Sequence, residues 1–196
     1  GVYAAAGLTD AGKPHFVYGL DRAAGGARLL VTFSEQKARE LLESYTFFDS
    51  DGLYFPAKDI LFYQSDIRGT ALTSERMKVY RALIEEEQPT IITTFDALMD
   101  RLVRPEVMKS FLLHLKPGDI LDLEKIRKRL VCMGYEYNYQ VEEPGQFSVR
   151  GGILDIFPLT EEMAYRIELW DDEIDSVRSF SPESQRSLDH VEELTV

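Results

Sequence analysis

The strongest chemical signature in the chain is the segment Gly7-Leu8-Thr9-Asp10-Ala11-Gly12-Lys13-Pro14. It follows the phosphate-loop pattern of glycine, four residues, glycine and lysine. In a working loop the backbone N–H groups surround the phosphates, the lysine reaches the terminal ones, and a following serine or threonine hydroxyl binds Mg²⁺. Pro14 stands at that last position and has neither a hydroxyl nor an N–H. The sequence therefore predicts a vestigial loop (Gly7, Gly12, Lys13 and Pro14) without catalytic residues, bound metal or cofactor.

A second candidate site lies on two predicted strands of the C-terminal half. Side chains of a strand alternate between its faces, so Ile167 points to one side while Arg166 and Trp170 point to the other. By the same alternation, the preceding strand points Arg150 outward. Tryptophan and arginine are the residues most enriched at interaction hot spots. The pattern predicts a protein-binding face, although a tryptophan under a loop and arginines paired with nearby carboxylates would produce the same sequence.

The first half of the chain alternates predicted strands with predicted helices. Ser34 stands in the N-cap position of the first clear helix, whose apolar residues fall on one face. Strands alternating with helices are typical of a parallel sheet covered by helices, and the position of the phosphate-loop pattern between a strand and a helix of this α/β half favours a decayed ancestral site. The predicted strands are 2–6, 29–33, 53–55 and 90–94, and the predicted helices are 35–45, 73–87 and 95–102.

The pattern changes after residue 112. One helix is predicted over 121–133, with Gly134 as its C-terminal stop. The remaining apolar runs alternate with period two, which is typical of strands, and those at 146–157 and 165–180 are predicted to pair as an antiparallel hairpin. We therefore predict two domains, 1–112 and 113–196, the second a small α+β domain with an antiparallel sheet.

Composition and charge restrict the possible functions. The 196 residues are 44% hydrophobic, with a single cysteine and three histidines, so neither a disulfide framework nor a zinc cluster is expected. No apolar run approaches the length of a membrane span, and no secretion signal precedes the first strand, which favours a cytoplasmic fragment of a longer protein. Residues 113–196 carry nine lysines and arginines against 18 acidic residues. Such a surface repels DNA and is more compatible with a protein partner that has a basic surface, although many domains are simply acidic and bind nothing through that charge.

Several runs together resemble one protein family over essentially the whole chain. The most specific are RGGILDIFP at 150–158 and IELWDDEIDS at 167–176, supported by Tyr54-Phe55-Pro56-Ala57-Lys58-Asp59 and the altered phosphate loop. They are similar to the N-terminal UvrB-homology region of the bacterial transcription-repair coupling factor (Mfd). The helicase subunit UvrB shares an R-G-x-x-x-x-I-F-P element but keeps an intact nucleotide loop, so Pro14 favours the coupling factor.

The resemblance implies a non-catalytic adaptor that recruits the excision-repair protein UvrA to RNA polymerase stalled at DNA damage. It also implies that residues 1–112 form a degenerate RecA-like α/β domain and that residues 113–196 form the UvrA-binding domain. Polymerase and DNA would be engaged by other parts of the full-length protein, including a downstream ATP-driven motor, and a further UvrB-like domain would follow residue 196. Arg150, Arg166 and Trp170 match the positions that the family uses against UvrA, where the last is usually Phe. Replacing any of them is expected to weaken UvrA binding and to leave folding nearly unchanged. The alternative function is an ATP-binding damage-verification subunit of the UvrB type.

Overall fold

A computed structural model describes residues 4–24, 26–58, 67–85 and 87–196. The chain divides into two compact units, Gly1–Pro105 and Glu106–Val196. Within the described ranges, no helix has both the length and the apolar character needed to cross a membrane. The domain boundary near residue 112 stays a prediction.

The first unit contains a parallel sheet with helices packed against it. Its strands pair in the order β1-β3-β2, with Leu30 opposite Ile92 and Tyr54 opposite Ile92 on the other side. The strands are β1 (Arg28–Thr32), β2 (Gly52–Phe55) and β3 (Thr90–Thr94), and the helices are α1 (Gly12–Ala24), α2 (Glu35–Thr46), α3 (Ile67–Ile84) and α4 (Phe95–Met99). Helix α5 (Pro105–Lys109) belongs, apart from its first residue, to the second unit.

Both faces of this sheet bury apolar side chains, which is why β3 is buried along its whole length. Ile92 packs with Ala38 and Tyr45 of α2, whereas Ile91 packs with Val79 of α3 on the opposite face. The prediction of a parallel sheet covered by helices is thus confirmed, and this unit has a mixed α/β fold. Of the strand predicted over 2–6, Val2 and Tyr3 lie outside the described residues, and residues 4–6 belong to no strand.

The second unit is built on an antiparallel sheet in which only the first short strand pairs in parallel. The order is β10-β9-β8-β7-β6-β5, with a separate two-stranded pair of β4 and β11. Helix α6 begins after Asp122, whose carboxylate accepts from the Lys125 amide, and Gly134 ends it with a φ of 92°. The elements are β4 (His114–Leu115), α6 (Leu123–Cys132), β5 (Glu136–Tyr137), β6 (Gln146–Arg150), β7 (Ile153–Ile156), β8 (Ala164–Trp170), β9 (Glu173–Phe180), β10 (Ser187–His190) and β11 (Leu194–Thr195).

The antiparallel pairing of the two long runs is confirmed, because β7 pairs with β8. Each run is itself also a hairpin, which the sequence analysis did not predict. The two-residue turns are Gly151-Gly152 between β6 and β7 and Asp171-Asp172 between β8 and β9. Gly151 and Asp171 have φ values of 58° and 59°, a left-handed conformation that glycine and aspartate tolerate in such turns.

The core of the second unit lies between one face of this sheet and α6. Ile167 is fully buried there, with Leu154 and Val177 as its partners on the neighbouring strands. Ile126 and Leu130 of α6 belong to the same apolar cluster. The predicted core direction of Ile167 is therefore confirmed, and the opposite face of the sheet is left to carry the candidate site.

Candidate protein-binding surface

The strand register arranges the face opposite the core in rows. One end is buried by a small apolar cluster of Val141, Phe157, Ala164 and Phe180. The middle row is polar, and Asp155 lies opposite Arg166, which in turn lies opposite Arg178. Trp170, at the other end, occupies the last position of β8. We call this side the outer face.

Asp155 is the centre of the polar row, because it binds both predicted arginines. Its Oδ1 accepts a hydrogen bond of 2.7 Å from Arg166 Nε, and its Oδ2 accepts one of 2.9 Å from each of Arg166 Nη2 and Arg150 Nη2. The carboxylate side chain is only 1% exposed. The sequence analysis did not single out Asp155, although a lone acidic residue in the apolar run Ile153–Phe157 was a signal for a paired buried charge.

Arg166 is held on three sides. Besides Asp155, its guanidinium lies 4.9 Å from the ring centre of Phe180 and donates to the Gln185 carbonyl at 3.4 Å. Its side chain is 16% exposed, and the hydrogen bonds to Asp155 raise its pKa above the ordinary value. Arg166 does point to the outer face, as predicted. Its removal would leave a buried carboxylate short of a partner, so the structure predicts that Arg166→Ala destabilises the fold, contrary to the expectation from the sequence.

Arg150 is the more accessible of the two arginines, with a side chain that is 39% exposed. Its guanidinium lies 5.3 Å from the centre of the Tyr139 ring, which is itself exposed. A carboxylate on one side and an aromatic ring on the other restrict the position of the guanidinium while its remaining N–H groups face solvent. Arg150 therefore presents a cation to any molecule that approaches the outer face.

Trp170 is 82% exposed, so the prediction that it faces solvent is confirmed. The turn Gly151-Gly152 lies beside it, with the Gly152 carbonyl accepting from the Leu169 amide. A Cβ on Gly152 would lie 3.0 Å from the Leu169 carbonyl oxygen, so the turn favours glycine, which places no side chain against the indole. At about 3.3 Å per residue, Trp170 is roughly 13 Å along β8 from Arg166. The structure thus brings Arg150 and Arg166 together at Asp155 and places Trp170 at a distance from both.

A third arginine lies on this face and was not predicted. Arg178 is directly opposite Arg166, and its buried Nε has no hydrogen-bond acceptor among the described residues. Its place in the alternation of β9 could have identified it, because Val177 beside it faces the core. The outer face therefore carries three arginines around the buried carboxylate of Asp155, with Glu168 and Glu173 further along the same face.

In the altered phosphate loop, the Asp10 carboxylate forms ion pairs with Lys13 and with Lys37 of α2. Lys13 Nζ lies 2.7 Å from Asp10 Oδ1, and Lys37 Nζ lies 3.2 Å from Asp10 Oδ2. Hydrogen bonds from Lys13, and then from Lys37, hold the pKa of the Asp10 carboxyl below its ordinary value. Thr9 Oγ1 accepts from the Gly12 amide at 3.2 Å, at the helix end where a phosphate would bind.

Pro14 is buried as the third residue of α1. Its missing N–H is one of the first-turn amides that have no partner within a helix, so the helix tolerates proline there. A nucleotide phosphate approaching this loop would meet the Asp10 carboxylate and would find no hydroxyl to hold its metal ion.

Comparison with known proteins agrees with the resemblance read from the sequence. Residues 113–196 match the family described as the UvrB interaction domain. The chain is 31% identical over 193 residues to the transcription-repair-coupling factor of Bacillus subtilis strain 168, and 37% identical over 170 residues to that of Staphylococcus aureus strain USA300. These alignments cover 97% and 86% of the chain, which spans 16% and 14% of the two relatives. The resemblance is thereby confirmed, and the chain is a homologue of a region of the transcription-repair-coupling factors, with a UvrB interaction domain at residues 113–196.

Proposed function

We propose that this chain is a non-catalytic adaptor that recruits UvrA to RNA polymerase stalled at DNA damage, and that the outer face of residues 113–196 is its UvrA-binding site. The observation that carries the proposal is the exposure of Trp170 on the same sheet face as Arg150 and Arg166, in a domain of the UvrB interaction family. Contacts with polymerase and DNA would belong to other parts of a longer cytoplasmic protein, since this chain spans 16% of the Bacillus subtilis relative.

The chemistry of the outer face suits a protein partner with acidic groups. Two arginines converge on one buried carboxylate, so part of their charge is left for a ligand. Arginine is well suited to such an interface, because its planar guanidinium can donate hydrogen bonds to two carboxylates in different directions. A fixed pair of arginines also loses little conformational entropy on binding, which favours affinity.

The test of this proposal is the replacement Trp170→Ala in the 196-residue chain. We expect UvrA binding to weaken by about thirtyfold, because truncating a hot-spot residue costs roughly 2 kcal/mol or more. The thermal midpoint should barely change, since the side chain is exposed. Isothermal calorimetry with purified UvrA gives the affinity.

The matched control is Phe47→Ala, which removes an equally exposed aromatic ring from the first unit. It should leave UvrA binding unchanged. If both variants bind like the parent chain, the outer face does not contact UvrA and the proposed function fails.

We further propose that the first domain, residues 1–112, is a RecA-like fold that has lost nucleotide chemistry. The chain should show no saturable, Mg²⁺-dependent binding heat with millimolar ATP. Lys13 is already paired with the Asp10 carboxylate, and Pro14 provides no metal ligand. Calorimetry of the parent chain and of Lys13→Ala should give identical traces. A binding heat that disappears in Lys13→Ala would support the alternative, an ATP-binding subunit of the UvrB type.

A further inference from the structure

We propose that Ile120, Glu173 and Trp170 form a continuous strip that is a second part of the partner-binding surface. The strip would receive an apolar side chain of UvrA with a cationic group beside it. This inference rests on the proposed function, because it assigns further contacts to the same partner. Nothing in the sequence pattern pointed to Ile120, which lies outside the predicted strands.

The three side chains are neighbours in one row across the sheet. Glu173 pairs with Trp170 across the β8–β9 hairpin and with Ile120 on its other side. Two of the hydrogen bonds between the segment of Ile120 and that of Glu173, of 2.7 and 2.8 Å, connect the residues that flank the pair. Ile120 and Glu173 are therefore a non-hydrogen-bonded pair, the kind in which opposite side chains are closest. Because directly opposite residues share a face, all three side chains project from the outer face.

Two of the three are large apolar side chains that the fold leaves uncovered. Ile120 is 66% exposed and Trp170 is 82% exposed, whereas Leu121, which follows Ile120, and Ile174, which follows Glu173, are buried in the core. Single exposed apolar residues are ordinary, but here two lie in one row of the sheet on either side of Glu173, which favours an interaction surface. The turn Gly151-Gly152 beside Trp170 has no side chains, which keeps that end of the strip open to a partner.

Charge on the outer face defines the chemistry of the partner. Glu173 is exposed and forms no ion pair with any residue in the described part of the chain. Arg150 and Arg166 stand further along the same face, beyond Glu168. A surface that fits both ends presents carboxylates to the arginines and a lysine or arginine to Glu173, with an apolar contact between them. This alternation sets the orientation of the partner as well as its affinity.

The strip is tested by Ile120→Ala in the 196-residue chain, with affinity for purified UvrA as the readout. We expect binding to weaken about fivefold or more, the loss that corresponds to a contributing contact of about 1 kcal/mol. The matched control is Val131→Ala, since Val131 is an exposed aliphatic residue of α6, the helix that covers the opposite face of the sheet. The control should bind normally, and both variants should keep the parent thermal midpoint.

Two further measurements test whether Glu173 forms an ion pair with the partner and whether Ile120 and Trp170 belong to one contact. Glu173→Lys should weaken binding more than Glu173→Gln, and the difference should shrink at high salt, as expected for an ion pair with a partner cation. The double variant Ile120→Ala with Trp170→Ala should lose less than the product of the single losses, because neighbours in one contact are coupled. Normal binding by Ile120→Ala and Glu173→Lys, with binding lost in Trp170→Ala, overturns the strip and leaves the proposed function intact. Normal binding by all of them overturns both.

Discussion

Replacing Asp155 with alanine is expected to lower the free energy of unfolding by about 3–5 kcal/mol, the range observed when one member of a buried ion pair is removed. The side chain is 1% exposed and accepts three hydrogen bonds from Arg150 and Arg166. Without it, Arg166 would lie in a largely buried position among like charges, with Arg178 directly opposite. Arg150 contributes less to the loss, because its side chain can reach water. Urea unfolding followed by circular dichroism measures the change.

Two controls separate charge pairing from the loss of atoms. Asp155→Asn keeps the size and one accepting oxygen, so it should destabilise the chain less than alanine but still measurably. Asp175→Ala removes an exposed carboxylate of β9 and should change the stability by less than about 0.5 kcal/mol. If Asp155→Ala proves as neutral as Asp175→Ala, the two arginines are solvated and Asp155 does not hold them.

The hydrogen bonds between Asp155 and Arg166 also predict that substitutions at these two positions are energetically coupled. Arg166→Ala should itself be destabilising, since it removes two of the three donors to Asp155. In the double variant Asp155→Ala with Arg166→Ala, no carboxylate is left unpaired, so the loss should be smaller than the sum of the single losses. Additive losses would mean that the two side chains stabilise the fold independently.

Strand alternation predicted the faces of β6 and β8 correctly, and local capping predicted two helix ends. Ser34 accepts from the Lys37 amide as an N-cap, and Gly134 ends α6. These features depend on residues within a few positions of each other, so the sequence contains them directly. In Phe95–Leu102 the prediction was too long, because α4 ends at Met99.

The pairing of charges was not predictable, because it depends on register between strands. Asp155 meets Arg166 only because β7 and β8 align those positions, and Arg150 reaches the same carboxylate across the β6–β7 hairpin. The turn that sets this second alignment is Gly151-Gly152, a pair that favours a two-residue hairpin. Read as a turn, those glycines would have divided the predicted run 146–157 into two strands.

The position of Ile120 was even less predictable from the sequence than the pairing of charges. It joins the sheet through an isolated bridge to Glu173, and its neighbour Leu121 is buried while Ile120 is exposed. A short segment of one exposed and one buried apolar residue has no periodicity to interpret. Its place on the outer face follows from tertiary contacts alone. A site predicted from the sequence could therefore include Trp170 and still miss Ile120, which lies on the other side of Glu173.

Ile167→Ala provides the complementary test of the sheet's two faces, and it should produce a loss of about 2–5 kcal/mol in the free energy of unfolding. Ile167 is fully buried between Leu154 and Val177, so truncation leaves a cavity that the paired backbones on both sides cannot close. For a unit of this size, the thermal midpoint should fall by roughly 10 °C or more.

Trp170→Ala is the matched control, because it removes a larger side chain from the same strand at an exposed position. The two variants should therefore separate cleanly, with Ile167→Ala unstable but able to bind UvrA at low temperature, and Trp170→Ala stable but weak in binding. This reciprocal pattern requires the core and the partner to lie on opposite faces of one sheet. The reverse result, a stable Ile167→Ala and an unstable Trp170→Ala, would mean that the indole belongs to the core and that the partner-binding face has been assigned to the wrong side.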